Sequence, residues 1–248
     1  MVDNSISSNS DMSKLEWLSD FSFKIDRIQE SISNSIWYDS KVLGQEHNFS
    51  YREDYLEQFE EMESNIDEVL QKCIQSHPSW SWLSQLKGIK PTIMGRILGN
   101  IRFWPPAQNS LNANTGKIRW AHTRGALLMY CGLGFVDNGK GGKKPQNFKK
   151  GQNRDANYKL REYIFEQVNW FLVEKYRYFD FYNDECEFLR NKYSSNKNIE
   201  DMGVRSTAVL FMTHLWDITQ QELGIEIPEN TDKFHKPEYS DPWKMIRN

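Results

Sequence analysis

Charge is not mixed along this chain; it is sorted into three blocks. Residues 1–80 carry 6 Lys+Arg against 16 Asp+Glu, a net of −10. Residues 81–161 carry 15 Lys+Arg against only Asp137 and Asp155, a net of +13. Residues 162–248 carry 10 against 16, a net of −6, so the whole chain is only −3. Such sorting limits the folds available. Either the basic middle keeps an open face for a polyanion, or the acidic flanks fold back and neutralise it. The first reading points to nucleic acid; the second is internal electrostatic complementarity.

Hydrophobic residues make up 38% of the 248, below the usual share for a compact globule. Nine Trp and an aromatic share of 14% compensate, because each ring buries a large area. The expectation is a folded chain with long solvated helices, organised as one large domain or two small ones. Cys73, Cys131 and Cys186 are odd in number and far apart, which fits a reducing, cytoplasmic compartment. The five His are as scattered, so no metal site and no cofactor are expected. No run of about 18 apolar residues and no secretory leader are read, so no membrane partner is expected.

The fold class expected is mainly α. Residues 1–13 are Ser/Asn-rich and read as a disordered lead. An acidic helical region then spans 14–80. Leu15, Leu18, Phe21, Ile25 and Ile28 mark a helix over 14–38. Tyr55, Phe59, Met62, Ile66, Val69, Cys73 and Ile74 recur at close to 3.5 residues over 50–76. That stripe either pairs as a coiled coil, giving a homo-oligomer, or packs onto a domain. A basic domain is expected over 81–225, with one long helix near 157–194 and a last helix over 199–223. Residues 226–248 read as a tail that wraps the surface or moves, and no strand pair is read.

Two segments carry the chemistry. Leu86 to Leu98, LKGIKPTIMGRIL, has the parts of a helix-hairpin-helix. Gly88 permits the turn, Ile89 plugs it, and Pro91 suits the first turn of the second helix. The turn amides and that helix's N-terminus would hold a phosphate. Gly88, Lys90, Thr92 and Arg96 are the candidate contacts; a plain helical hairpin in a core is the competing reading. Asp137 to Arg161 is a Gly/Lys-rich loop without the GxxxxGK[ST] pattern of a nucleotide-hydrolase phosphate loop. Lys140, Lys143, Lys144, Lys149, Lys150, Arg154, Lys159 and Arg161 are its candidate nucleic-acid contacts, with Phe148 and Tyr158 placed to stack on bases. A solvated linker is the alternative. Asp180, Asp184, Glu185 and Glu187 read as a solvated helix face rather than a metal-dependent nuclease site.

These two segments, in this order, resemble the C-terminal domain of insertion-sequence-110-type transposases, the bridge-RNA-guided recombinases. That family runs PGIGPxxAxxLLAEIG, then AYxGL, then xxxSSGGKxxxGxxxKxGNxxLRxxL. Here the chain has GIKPTIMGRILGNI, then LMYCGLGFVDNGKGGKKPQNFKKGQNRDANYKLREYI. The likeness spans about residues 82–172, and residues 50–76 fall where the family has its coiled coil. It implies binding of DNA or of a structured RNA. Two departures stand out. The 80 residues ahead are too few for the family's RNase-H-like domain, and Gly139 and Lys140 stand where the family has its nucleophilic serine. The expectation is therefore a non-catalytic DNA-binding protein related to mobile-element transposases. An active recombinase with a displaced nucleophile (Ser110, Tyr130 or Tyr158) and a helical assembly protein are the alternatives.

Overall fold

The computed structural model describes residues 5–41, 50–103, 121, 123–137, 143–145, 158–193, 198–225 and 237–246. It is mainly helical, as expected. The first two helices, α1 (Ser5–Lys41) and α2 (Ser50–Cys73), form an antiparallel pair. Arg52 reaches Asp39 at 2.5 Å near one end, and Asp26, Glu63 and Asp67 meet nearer the middle of the pair. Helix α1 starts earlier than the sequence reading placed it; residues 5–13 are helical, not a disordered lead.

The periodic stripe of α2 has two fates. Ile66, Cys73 and Ile74 are buried in the core and Val69 partly so, with Leu70, outside the stripe, buried beside them, while Tyr55 is 52% and mid-helix Met62 40% exposed. The buried half packs onto a domain, which settles one of the two expected roles for that half. A turn of 3-10 helix (Ile74–Ser76) and a one-turn helix, α3 (Trp80–Leu83), lead to α4 (Pro91–Gly99). Lys90 is extended (φ −102°, ψ 109°), as a residue before proline must be, and Pro91 opens α4.

Helix α4 is apolar nearly all round, with Ile93, Met94, Gly95, Ile97, Leu98 and Gly99 buried. A helix of that kind has to be covered on several sides. Helices α1 and α2 cover it from one side and α6 from another. The close approach needs glycine: a Cβ on Gly95 would lie 2.9 Å from the Leu70 Cβ, and one on Gly99 2.5 Å from the Leu15 carbonyl oxygen. Apolar residues from both sides of position 80 thus share one core, and the expected boundary there does not divide it.

Helix α5 (Arg124–Tyr130) is capped by Thr123, whose hydroxyl accepts from the Ala126 amide at 3.0 Å. It ends at Gly132 (φ +68°), after which β1 (Phe135–Asp137) pairs antiparallel with β2 (Lys143–Pro145). This ribbon corrects the reading of no strand pair; three-residue strands are too short to show a period. The expected single helix near 157–194 is two, α6 (Tyr158–Glu174) and α7 (Arg177–Lys192), broken where Lys175 adopts φ 48°.

The last helix, α8 (Ile199–Glu222), is the second central rod. Leu210, Phe211, Met212, Leu215, Trp216 and Ile218 are buried, and Thr207, Thr213 and Thr219 spend their hydroxyls on their own helix carbonyls. Phe211 joins Trp82, Phe171 and Tyr178 in an aromatic cluster; Phe171 and Tyr178 stack at 4.6 Å. The described part of the C-terminal region, 237–246, is docked on that cluster. Trp82 donates to the Pro242 carbonyl at 3.0 Å, Tyr176 to that of Ile246 at 3.1 Å, and His214 to that of Tyr239 at 2.8 Å.

Candidate nucleic-acid interface

The hairpin turn has the backbone its sequence calls for. Gly88 sits at φ +84°, a conformation a side chain resists. Its surroundings differ from the expected open phosphate cradle. A Cβ on Gly88 would meet the Glu174 Cγ at 3.0 Å and the Trp170 carbonyl at 3.1 Å, so the turn lies flat on α6. Buried Gln167 closes it from both ends, donating to the Gly88 carbonyl at 2.8 Å and accepting from the Lys90 amide at 3.0 Å. Lys90 extends its ammonium 3.7 Å from the centre of the Trp170 ring. Thr92 is half-buried in the first turn of α4. The Lys90 amide, expected at a phosphate, is spent inside the fold.

Arg96 is a second correction. Its guanidinium donates to Glu63, to Asp67 at 3.1 Å, and lies 3.8 Å from Asp26. The three acids come from α1 and α2, and the arginine side chain is only 13% exposed. Burial by itself pulls an arginine's pKa down; Asp67, Glu63, Tyr163 and Asp26 outweigh it and hold Arg96 above its ordinary value. Tyr163 of α6 completes the node by donating to Asp26 at 2.8 Å. Lys159 is drawn into the same place, 3.6 Å from Asp26 and 3.5 Å from Glu162. Arg102 pairs with Glu16 at 3.2 Å, and Arg124 with Asp217 at 2.5 Å. Folded-back acids therefore neutralise Arg96, Arg102, Arg124 and Lys159. For these four the charge blocks are internal complementarity, and Arg96 and Lys159, two of the expected phosphate contacts, are paired with carboxylates.

A different arrangement stands at the root of the ribbon. Beyond Gly132 the chain turns so that the Leu133 and Gly134 amides donate to the Leu128 carbonyl at 2.8 and 3.0 Å. Arg205 of α8 grips this turn, donating to the Gly134 carbonyl at 3.0 Å and the Gly132 carbonyl at 3.4 Å. The centre of its guanidinium lies 5.9 Å from the Phe135 ring, and Arg161 of α6 is close enough to repel it. Among the described residues Arg205 has no carboxylate in salt-bridge range. Burial, and then Arg161, push its pKa down to about 10. Arg161 lies over the Phe165 ring at 4.9 Å; burial lowers its pKa, with Tyr158 opposing. Strand β2, starting at Lys143 and Lys144, leaves from the same root. Lys140, Lys149, Lys150 and Arg154 lie outside the described residues.

Arg205 and Gln167 were not read from the sequence as site residues. Arg205 sits in a block that is net acidic, so a charge count hides it. Of the three displaced-nucleophile candidates, Tyr130 is buried, Ser110 lies outside the described residues, and Tyr158 is 59% exposed with its hydroxyl hydrogen-bonded to Glu162. No group of three His, Cys, Asp or Glu among the described residues is placed to hold a metal ion, and no described helix is long and apolar enough to cross a membrane. No protein-family model matches the chain, and neither a curated protein nor a solved structure matches it significantly.

Proposed function

We propose that this protein is a non-catalytic DNA-binding protein related to mobile-element transposases. Its grip on phosphate centres on the root and strands of the basic ribbon, not on the helix-hairpin-helix turn. One contrast carries the reading. The half-buried arginines at positions 96, 102 and 124 are matched by carboxylates, whereas Arg205 meets two carbonyls, an aromatic ring and a second arginine. A cation held half out of water beside another cation favours an incoming anion, and phosphate suits the planar guanidinium fork. The lysines at 140, 143, 144, 149 and 150 extend the charge along the sequence from that root. The resemblance to the transposase domain supports the same ligand, and structured RNA is the related alternative. The hairpin and Arg96 serve the core in this reading. The three buried free thiols suit the cytoplasm.

The test is a gel-shift series at two salt concentrations. Binding should weaken steeply with salt, and changing Lys143, Lys144, Lys149 and Lys150 to Glu should weaken it on every sequence alike. Equal binding by wild type and this variant would discard the reading. A covalent protein–DNA adduct would favour the recombinase alternative.

The assembly reading keeps one observation of its own. Trp37, Tyr38 and Tyr55, toward the far end of the α1–α2 pair, and Met62, midway along α2, are 60%, 51%, 52% and 40% exposed. Light scattering that shows an oligomer with no affinity for nucleic acid would favour it.

A further inference from the structure

The arginine pair is flanked by two large rings that the core does not use. Phe135 opens β1 and is 56% exposed, although a buried place for it would be favourable. Tyr158 opens α6 and is 59% exposed. The Phe135 ring lies 5.9 Å from the Arg205 guanidinium, and Tyr158 stands one helical turn before Arg161 and interacts with its charge. The fold thus presents a more than half-exposed ring near each of two guanidinium groups. Arg205 is fixed there by its bonds to the Gly132 and Gly134 carbonyls, so its plane is set before any ligand arrives.

We infer that Phe135, Tyr158, Arg161 and Arg205 form a clamp for unpaired nucleotides, with the guanidiniums on the phosphate and the rings stacked on the bases. The inference rests on the nucleic-acid reading above and narrows its ligand. In a duplex each base face is already covered by its neighbour, so side-chain rings have nothing to stack on. In a single strand every base offers a face, and sequence matters little. Phosphate attraction alone would not distinguish the two; the rings do.

The experiment is fluorescence anisotropy on the full chain, with a labelled thymidine oligonucleotide of about 12 nucleotides and a duplex of the same length. The wild type should hold the single strand at least about fivefold tighter at equal salt. Phe135→Ala and Tyr158→Ala should each weaken single-strand binding by about fivefold or more and leave duplex binding unchanged. Phe135→Trp, which keeps a stacking face, should retain it. Both positions are more than half exposed, so the variants should keep the wild-type melting temperature, measured alongside. Equal affinity for both ligands, or ring variants that lose neither or lose both alike, would overturn the clamp while leaving DNA binding standing. Binding of neither ligand by the wild type would remove both readings.

Discussion

The Gln167 side chain holds both ends of the hairpin turn, donating to the Gly88 carbonyl at 2.8 Å and accepting from the Lys90 amide two residues on. One buried amide thus takes the Lys90 donor that a phosphate would take at an exposed turn, and also satisfies the Gly88 carbonyl, which a phosphate oxyanion could not. Replacing it with Leu keeps the volume but strands a backbone donor and a backbone acceptor. The expected cost is about 1–3 kcal/mol for each stranded group, read from urea unfolding. Affinity for nucleic acid should not change, because the turn is not at the proposed interface. A variant with normal stability and lost binding would reverse the assignment of the hairpin.

Arg96 should behave as a keystone of the core rather than a ligand contact. Arg96→Met leaves Glu63 and Asp67 without their cation and Asp26 with Lys159 alone. Losing one partner of a largely buried ionic cluster costs about 3–5 kcal/mol. Chemical denaturation gives the loss, and Arg96→Lys should recover part of it. A single-strand or duplex titration of either variant, well below its unfolding midpoint, should match the wild type.

How far the sequence could be read follows from the range of each signal. Periodicity is local, so the stripe from Ile66 to Ile74 was legible, as was the proline start of α4. The break at Lys175 was not, because no Gly or Pro marks it and a left-handed φ is not expected of a lysine. Charge blocks carry no distances. They favoured an open basic face over a neutralised one, and only the placing of Arg96 against α2 and Arg124 against α8 shows where neutralisation occurs. Arg205 joins the ribbon root from more than 70 residues away in sequence, a relation no spacing rule reaches.

Two glycines should respond to alanine with opposite signs. At Gly99 the new methyl would stand 2.5 Å from the Leu15 carbonyl oxygen and the Ser19 Cβ, so α1 must move off α4. Such overpacking costs about 1–3 kcal/mol. At Gly125, exposed in the first turn of α5, the nearest neighbour is the Thr123 hydroxyl at 3.9 Å. Alanine there should stabilise, by up to about 1 kcal/mol from helix propensity. Thermal melts of the two variants check the pair, and a neutral Gly99→Ala would show that the helices do not approach as described.

Acid should unfold this protein through two histidines before most carboxylates titrate. Burial pushes His77 and His214 down from 6.5 to about 3. The hydrogen bonds at His214 agree with a neutral ring, since Nδ1 accepts from the Tyr178 hydroxyl at 2.9 Å and Nε2 donates to the Tyr239 carbonyl. Because the folded pKa lies below the unfolded one, the unfolded chain binds protons first. Stability is therefore full above pH 6.5 and falls as pH drops toward 3. The limiting slope for two such groups is about 2.7 kcal/mol per pH unit. Burial raises the carboxyls of Asp67 and Asp217 from 3.8, against the pull of Arg96 and Arg124, and these contribute with the opposite sign near the carboxylate range. The window from about pH 6.5 to 5 thus reports the histidines. In it, urea midpoints of His214→Gln should fall with about half the wild-type slope, whatever the variant's stability at neutral pH. An unchanged slope would mean that the buried ring already shares its proton with the folded state.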